Sequence, residues 1–119
     1  MTPKRAVRAI KNRYVLGQVR RADIPPLADR PVRRYRLVFS GRVQGVGFRL
    51  ECSGMAQRLG LTGWVKNRPD GSVEAELQGS DERIAYLQAF MASLKRIRIT
   101  GTESAEQAPD PAERTFRIL

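Results

Sequence analysis

The chain has 119 residues, enough for one domain with its own hydrophobic core and a short extension. It has no histidine and one cysteine, Cys52, which excludes histidine-based catalysis, zinc sites of Cys and His, and an intramolecular disulfide. The net charge of +10 is concentrated at the N-terminus, since residues 1–34 carry +8 and the other 85 residues only +2. A lone thiol suits a reducing compartment, and no apolar run approaches the roughly 20 residues that span a membrane. We therefore predict a cytoplasmic protein.

Residues 1–33 are predicted to form a basic extension that precedes the domain. Apolar residues at helical spacing between Val7 and Tyr14 allow a short helix, although an isolated helix of this length is marginally stable in water. Three prolines in "DIPPLADRPV" predict an extended linker at the end of the extension. The sequence leaves open whether the extension is a disordered tail, an organelle-targeting segment or the product of a misassigned start.

The first half of the domain reads as strand, helix and strand. Alternation in "YRLVFSG" (35–41) predicts a strand, and an apolar stripe from Cys52 to Leu59 predicts a helix that buries the thiol. Gly60 is suited to end that helix. "LTGWVKN" (61–67) predicts the next strand, and "RPDG" predicts a tight turn after it.

The second half continues with strand, helix and strand. "SVEAELQG" (72–79) alternates, which predicts a strand whose Glu74 and Glu76 face solvent. Ser80 is a good N-cap for a second helix with apolar residues from Ile84 to Leu94. "RIRI" (96–99) and "RTFRIL" (114–119) predict strands, and the polar "ESAEQAPDPAE" between them predicts a loop.

This order of elements predicts the fold class α+β. Strand, helix, strand, strand, helix and strand, with one terminal strand, is typical of a ferredoxin-like sandwich, in which two helices pack on one antiparallel sheet. The domain is predicted to span residues 34–119. Because many activities share this topology, the fold alone does not give the function.

The glycine-rich segment "SGRVQGVGFR" (40–49) joins the first strand to the first helix. Unpaired backbone N–H groups and the positive end of the helix dipole face outward at such a junction. Glycines let a ligand approach the backbone, and the guanidinium of Arg49 can close over an oxyanion. Phosphate is the natural candidate. Taken alone, the segment is equally compatible with a structural turn and a solvated arginine.

"GRVQGVGFR", followed by "LGLTGWVKNRPDGSVE", resembles the two signature blocks of the acylphosphatase family in their order and spacing. The resemblance covers residues 35–119 and implies metal-independent, cofactor-free hydrolysis of the carboxyl–phosphate bond of small acyl phosphates. It also implies that Arg49 is catalytic and binds the phosphoryl group, and that Asn67 orients the attacking water. The phosphate-binding backbone that it implies belongs to Gln44, Gly45, Val46, Gly47, Phe48 and Arg49.

Two positions depart from the family's pattern. Leu50 stands where an aromatic residue usually follows the loop arginine, and "KRIRIT" (95–100) replaces a "GPxxA" segment. Both departures concern the surroundings of the pocket, and therefore substrate preference, more than Arg49 or Asn67.

The sequence is also compatible with two other kinds of function. A nucleic-acid-binding module can share this topology and use the basic arm, but the strand 72–79 offers no aromatic side chain on which a base could stack. A third possibility is a non-catalytic regulatory module, or a relative of the acylphosphatase-like domains of larger maturation enzymes. We expect neither, since the short chain leaves little room for further domains and the presence of both Arg49 and Asn67 argues against an inactive site. We expect a monomer that binds nucleic acid only non-specifically, through its arm, and does not bind membranes. We also expect that removing residues 1–33 leaves turnover largely intact.

Overall fold

The computed structural model describes Val19 and residues 22–119. The elements are β1 (Val32–Arg42), α1 (Phe48–Arg58), β2 (Thr62–Asn67), β3 (Val73–Ser80), α2 (Asp81–Ser93), β4 (Arg98–Gln107) and β5 (Phe116–Ile118). They confirm the predicted ferredoxin-like sandwich. The helix considered between Val7 and Tyr14 lies outside the described residues.

The sheet has the strand order β4-β1-β3-β2-β5. Its central pairs are antiparallel, while β5 runs parallel to β2, so the sheet is mixed rather than purely antiparallel. In the register, Phe39 lies opposite Val73, which in turn lies opposite Asn67. The end of β1 and the end of β2 therefore meet at the same edge of the sheet.

α2 begins where the sequence predicts and both helices end within a residue of the predicted position, whereas α1 begins at Phe48, before the apolar stripe that starts at Cys52. Ser80 caps α2, its hydroxyl accepting a hydrogen bond from the Arg83 backbone N–H at 3.2 Å. Gly60, with a φ of 69°, follows α1, and the N–H of Leu61 then bonds to the carbonyl of Ala56 at 2.8 Å. That reversal needs the left-handed conformation that glycine adopts without steric cost.

The core lies between the two helices and one face of the sheet. Its largest fully buried side chains include Phe48, Leu37, Met55, Leu77 and Leu87. Cys52 is 1% exposed within it, which confirms the predicted buried thiol. Burial raises the pKa of Cys52 to about 12, so the group stays a protonated, unreactive thiol at neutral pH.

The other face of the sheet is more enclosed than the sequence predicts. Glu74 is 7% exposed and forms ion pairs with Arg36 and Lys66, so the prediction of a solvent-facing Glu74 is wrong. Although burial acts to raise it, the hydrogen bond from Arg36 and the nearby positive charges hold the pKa of Glu74 below its ordinary value. Alternation places a carboxylate on a face of the sheet, but it does not reveal which cations cover it.

β4 is longer than the predicted strand 96–99 and begins only at Arg98. "ESAEQ" (103–107) continues the strand rather than starting a loop, because β4 pairs with β1 from Arg98 opposite Arg42 to Gln107 opposite Arg34. All residues of β4 except Ile99 are exposed. The strand is held by its backbone ladder and carries no apolar alternation that would mark it in the sequence.

Residues 22–31 run along the helical layer. Ala22, Ile24 and Leu27 pack against the core. The Tyr86 hydroxyl donates to the carbonyl of Asp23 at 3.2 Å. Ala28 exchanges two further hydrogen bonds, accepting one from the Ser80 hydroxyl and donating one to the carboxylate of Glu82. This part of the chain therefore contributes packing to the domain.

Among the described helices, none has the length and hydropathy to cross a bilayer.

Candidate active site

The loop 43–47 lies between the end of β1 and the start of α1. Gly45 and Gly47 have φ values of 73° and 82°, a backbone conformation that residues with a side chain rarely adopt. Gly47 is also the N-cap of α1, and no side chain caps the helix there. Gly45 is exposed and a Cβ atom added there would meet nothing within 4 Å, so the loop is open to solvent at this residue. The backbone at the helix N-terminus is therefore accessible to an anion.

Apolar side chains hold the loop to the core. Val43, Val46 and Phe48 are 1%, 6% and 2% exposed, and the rings of Phe48 and Phe39 lie 5.1 Å apart. Because the side chains are buried, the backbone between them is fixed while its outer surface stays open. This arrangement suits a preformed anion cradle.

Arg49 is the second residue of α1 and is half-buried. No Asp or Glu of the described chain forms a salt bridge with its guanidinium. By contrast, Arg34 and Arg36 are both engaged by carboxylates. The guanidinium of Arg49 therefore has no carboxylate partner in the described chain, and it lies at the helix end where an anion would bind.

Asn67 is the last residue of β2 and is exposed. The turn that follows is stabilised by Asp70, whose Oδ1 accepts hydrogen bonds from the backbone N–H of Ser72 at 3.0 Å and from the Ser72 hydroxyl. These bonds hold the pKa of Asp70 below its ordinary value. Across residues 22–119, the side chain of Asn67 takes no part in such hydrogen bonds. The turn is therefore formed without the side chain of Asn67, and the amide of Asn67 is exposed to solvent.

Gln44 connects the loop to this turn. Its Nε2 donates to the carbonyl of Arg68 at 2.7 Å and to the carbonyl of Ser72 at 2.8 Å. The loop next to Arg49 and the strand end that carries Asn67 are thereby brought together. The family resemblance implies a role for the backbone of Gln44 alone, and no local pattern in the sequence signals this long-range contact of its side chain.

Glu51 is a buried carboxylate that no pattern in the sequence singles out. It lies in the first turn of α1, is 0% exposed, and its Oε2 lies 3.2 Å from Nη2 of Arg96. Burial raises the pKa of Glu51, and the hydrogen bond and charge of Arg96 oppose that rise. Arg96 belongs to the segment "KRIRIT", so this departure from the family's pattern contacts the helix that carries Arg49.

Within residues 22–119 and at Val19, no three His, Cys, Asp or Glu side chains come together in a group that could hold a metal ion. Arg42 and Arg49 flank the loop, while in the turn the guanidinium of Arg68 lies 3.7 Å from the carboxylate of Asp70.

Comparison with known proteins decides the family. The family model described as acylphosphatase matches residues 35–118. The chain belongs to the acylphosphatase family. A curated acylphosphatase of Thermococcus kodakarensis is 54% identical over 87 residues, which are 72% of this chain and 94% of that protein. An acylphosphatase of Thiobacillus denitrificans is 49% identical over 73 residues, covering 56% of this chain and 82% of that protein.

The fold agrees with solved members of the family. The crystal structure of acylphosphatase from Bacillus subtilis superposes with a TM-score of 0.67 at 32% identity, covering 75% of this chain and 99% of that one. As a member of the acylphosphatase family, the chain is a hydrolase acting on acyl phosphates.

Proposed function

We propose that this chain hydrolyses acyl phosphates without a metal or other cofactor, at a site formed by the loop 43–47, Arg49 and Asn67. The products are a carboxylate and inorganic phosphate. One observation carries the proposal. The side chain of Gln44 joins the loop before Arg49 to the turn after Asn67, and so brings an arginine without a carboxylate partner at a helix N-terminus close to an exposed asparagine at a strand end.

The substrate brings its own leaving group. Water attacks phosphorus, the bond between phosphorus and the acyl oxygen breaks, and the electron pair leaves with the carboxylate. Because a carboxylic acid has a pKa of about 4, the departing oxygen needs no proton from the protein. The protons of the water pass to phosphate and solvent. A chain without histidine can therefore support this reaction by positioning and electrostatics alone.

Arg49 and the loop backbone act on the phosphoryl oxygens. The guanidinium supplies a planar pair of donors, while the first N–H groups of α1 and of the loop, from Gln44 to Phe48, supply further donors and the positive helix end. Gly45 and Gly47 keep Cβ atoms away from the anion. Charge that develops on the oxygens in the transition state is thus met by groups already in place.

Asn67 acts on the water. Its side-chain amide has one acceptor and two donors, so it can fix the water in line with the bond that breaks without carrying a charge itself. A position at the end of a paired strand, opposite Val73, gives the amide a rigid base.

The direct test is hydrolysis of benzoyl phosphate, followed by loss of its ultraviolet absorbance. We expect turnover by the purified chain that is unchanged when a chelator such as EDTA is added, and inhibition by inorganic phosphate. An inert wild-type protein, or activity that the chelator abolishes, contradicts the proposal.

We propose that residues 34–119 are the catalytic unit and that residues 1–33 affect its stability rather than its chemistry. The proposal is supported by the position of Arg49 and Asn67, away from the contacts of residues 22–31 with Tyr86 and Ser80. We also propose a cytoplasmic monomer whose basic arm binds polyanions only non-specifically.

Two truncations separate these contributions. We expect a variant lacking residues 1–21 to match the full chain in kcat. A variant lacking residues 1–31 should also keep its kcat, but its melting temperature should fall by several degrees, because partial burial of Ile24 and Leu27 contributes about 1 kcal/mol each. Calorimetry and the benzoyl phosphate assay measure the two effects. A large loss of kcat in either folded truncation would show that the domain boundary is misplaced.

A further inference from the structure

The side-chain amide of Gln44 is bonded on both of its hydrogens to one turn. Its Nε2 lies 2.7 Å from the carbonyl oxygen of Arg68 and 2.8 Å from that of Ser72. Both partners are carbonyls and can only accept, so the nitrogen of the amide, and not its oxygen, must face them. The contact is therefore defined in direction as well as in distance.

The two carbonyls already serve the turn. That of Arg68 accepts from the N–H of Gly71 at 3.2 Å, and that of Ser72 accepts from the N–H of Arg68 at 2.9 Å. Gln44 occupies the second lone pair of each. It thus holds the turn from the side of the loop, adding bonds that the turn cannot make by itself.

The two bonded residues lie next to Asn67 and to its partner on the neighbouring strand. Arg68 follows it directly in sequence, and Ser72 directly precedes Val73, the residue opposite Asn67 in the register. On the other side, Gln44 lies in the loop between the buried side chains of Val43 and Val46. Among the described residues, the hydrogen bonds of Gln44 are the side-chain link from this loop to the turn.

We propose that Gln44 is a positioning residue that sets the distance between the phosphoryl-binding loop and Asn67. This inference rests on the proposed function. The loop holds the phosphorus and Asn67 holds the water, so the spacing between them fixes the approach of the water to the phosphorus. Misplacement by about 1 Å can cost on the order of 10²-fold in rate. Phosphate binding needs only the loop and Arg49, and does not depend on that spacing.

The test is the nearly isosteric Gln44→Met, which removes both donors. We expect kcat for benzoyl phosphate to fall about 10- to 100-fold, while KM and the inhibition constant of inorganic phosphate change less than about threefold. The control is Gln57→Met on α1, whose amide donates to the Ser53 hydroxyl at 3.0 Å and which should keep its kcat. All rates are measured well below the melting temperature of each variant. A lower melting temperature with unchanged kcat would mean a purely structural role and overturn the inference.

A double-mutant cycle with Asn67→Ala tests the coupling. If Gln44 acts through Asn67, Gln44→Met should change kcat by less than about twofold once Asn67 is alanine. Effects that multiply would overturn the inference and leave the proposed function intact. An inert wild type, or full activity in both Arg49→Gln and Asn67→Ala, would instead overturn the proposed function.

Gln44→Glu provides a second readout that does not depend on Gln44→Met folding well. Its ionised carboxylate puts acceptors against two carbonyls, whereas its protonated form restores one donor. We expect the activity of this variant, relative to wild type, to rise as the pH falls towards about 5. A ratio that does not change with pH would contradict the assigned contact.

Discussion

Arg49→Gln is expected to lower kcat/KM for benzoyl phosphate by about 10³-fold or more, the scale of an arginine that stabilises a phosphoryl-transfer transition state. Arg49 is half-buried at the N-terminus of α1 and no described carboxylate neutralises it, so its removal deprives the bound phosphoryl group of a cation and a bidentate donor. Arg49→Lys keeps the charge but loses the fork, and should recover only part of the activity.

Steady-state kinetics with phosphate inhibition distinguish the roles of the two proposed catalytic residues. Arg49→Gln should weaken phosphate inhibition as well as turnover, whereas Asn67→Ala should lower kcat and leave phosphate inhibition nearly unchanged. Arg117→Gln is the matched control, because Arg117 is an exposed cation on β5. If Arg49→Gln keeps more than a tenth of the wild-type kcat/KM, the assignment of the phosphoryl site to Arg49 fails.

Gly63→Ala is expected to destabilise the domain by about 3 kcal/mol or more, or to prevent folding. Gly63 lies in β2, between β3 and β5, with a φ of 134°. A Cβ atom there would stand 1.8 Å from the carbonyl oxygen of Glu76, which is backbone and cannot rotate away. Both the backbone conformation and the close approach of the neighbouring strand therefore require glycine.

Urea denaturation measures this effect, with Gly101→Ala as the control. Gly101 also lies in a strand, β4, but a Cβ atom added there would have no neighbour within 4 Å. We expect the control to unfold at nearly the wild-type urea concentration. A Gly63→Ala midpoint equal to that of the control would show that β2 and β3 separate more easily than the structure indicates.

The sequence predicts much of this architecture because alternation and capping are local. Ser80 and Gly60 mark helix ends by chemistry that acts within a few residues, and the alternation of 72–79 shows which side chains of β3 face the core. β4 escaped prediction beyond residue 99 because an exposed edge strand is held by its backbone and shows no apolar period. The burial of Glu74 depends on Arg36 and Lys66 from two other strands, which no local pattern brings together.

In the candidate site, too, local features could be predicted from the sequence and long-range contacts could not. A glycine-rich strand-to-helix loop ending in arginine indicates an anion site from elementary chemistry, whereas the roles of Arg49 and Asn67 came from resemblance to a family. The contacts of Gln44 with the turn 24 and 28 residues further on required coordinates, as did the burial of Glu51 beneath Arg96. Long-range polar contacts of this kind leave no period in the sequence.

The two edge strands of the sheet, β5 and β4, differ in length, and neither is well suited to pair with a strand of another chain. β5 offers only three residues for docking, too few to template a stable intermolecular ladder. β4 is ten residues long, but its side chains are mostly polar and exposed, so an added strand would gain little apolar contact from them. The register shift in β1 between Ser40 and Gly41 also bends the ladder beside it. The polar composition of β4, which leaves no apolar period in the sequence, thus also makes the strand a poor template for amyloid-like stacking.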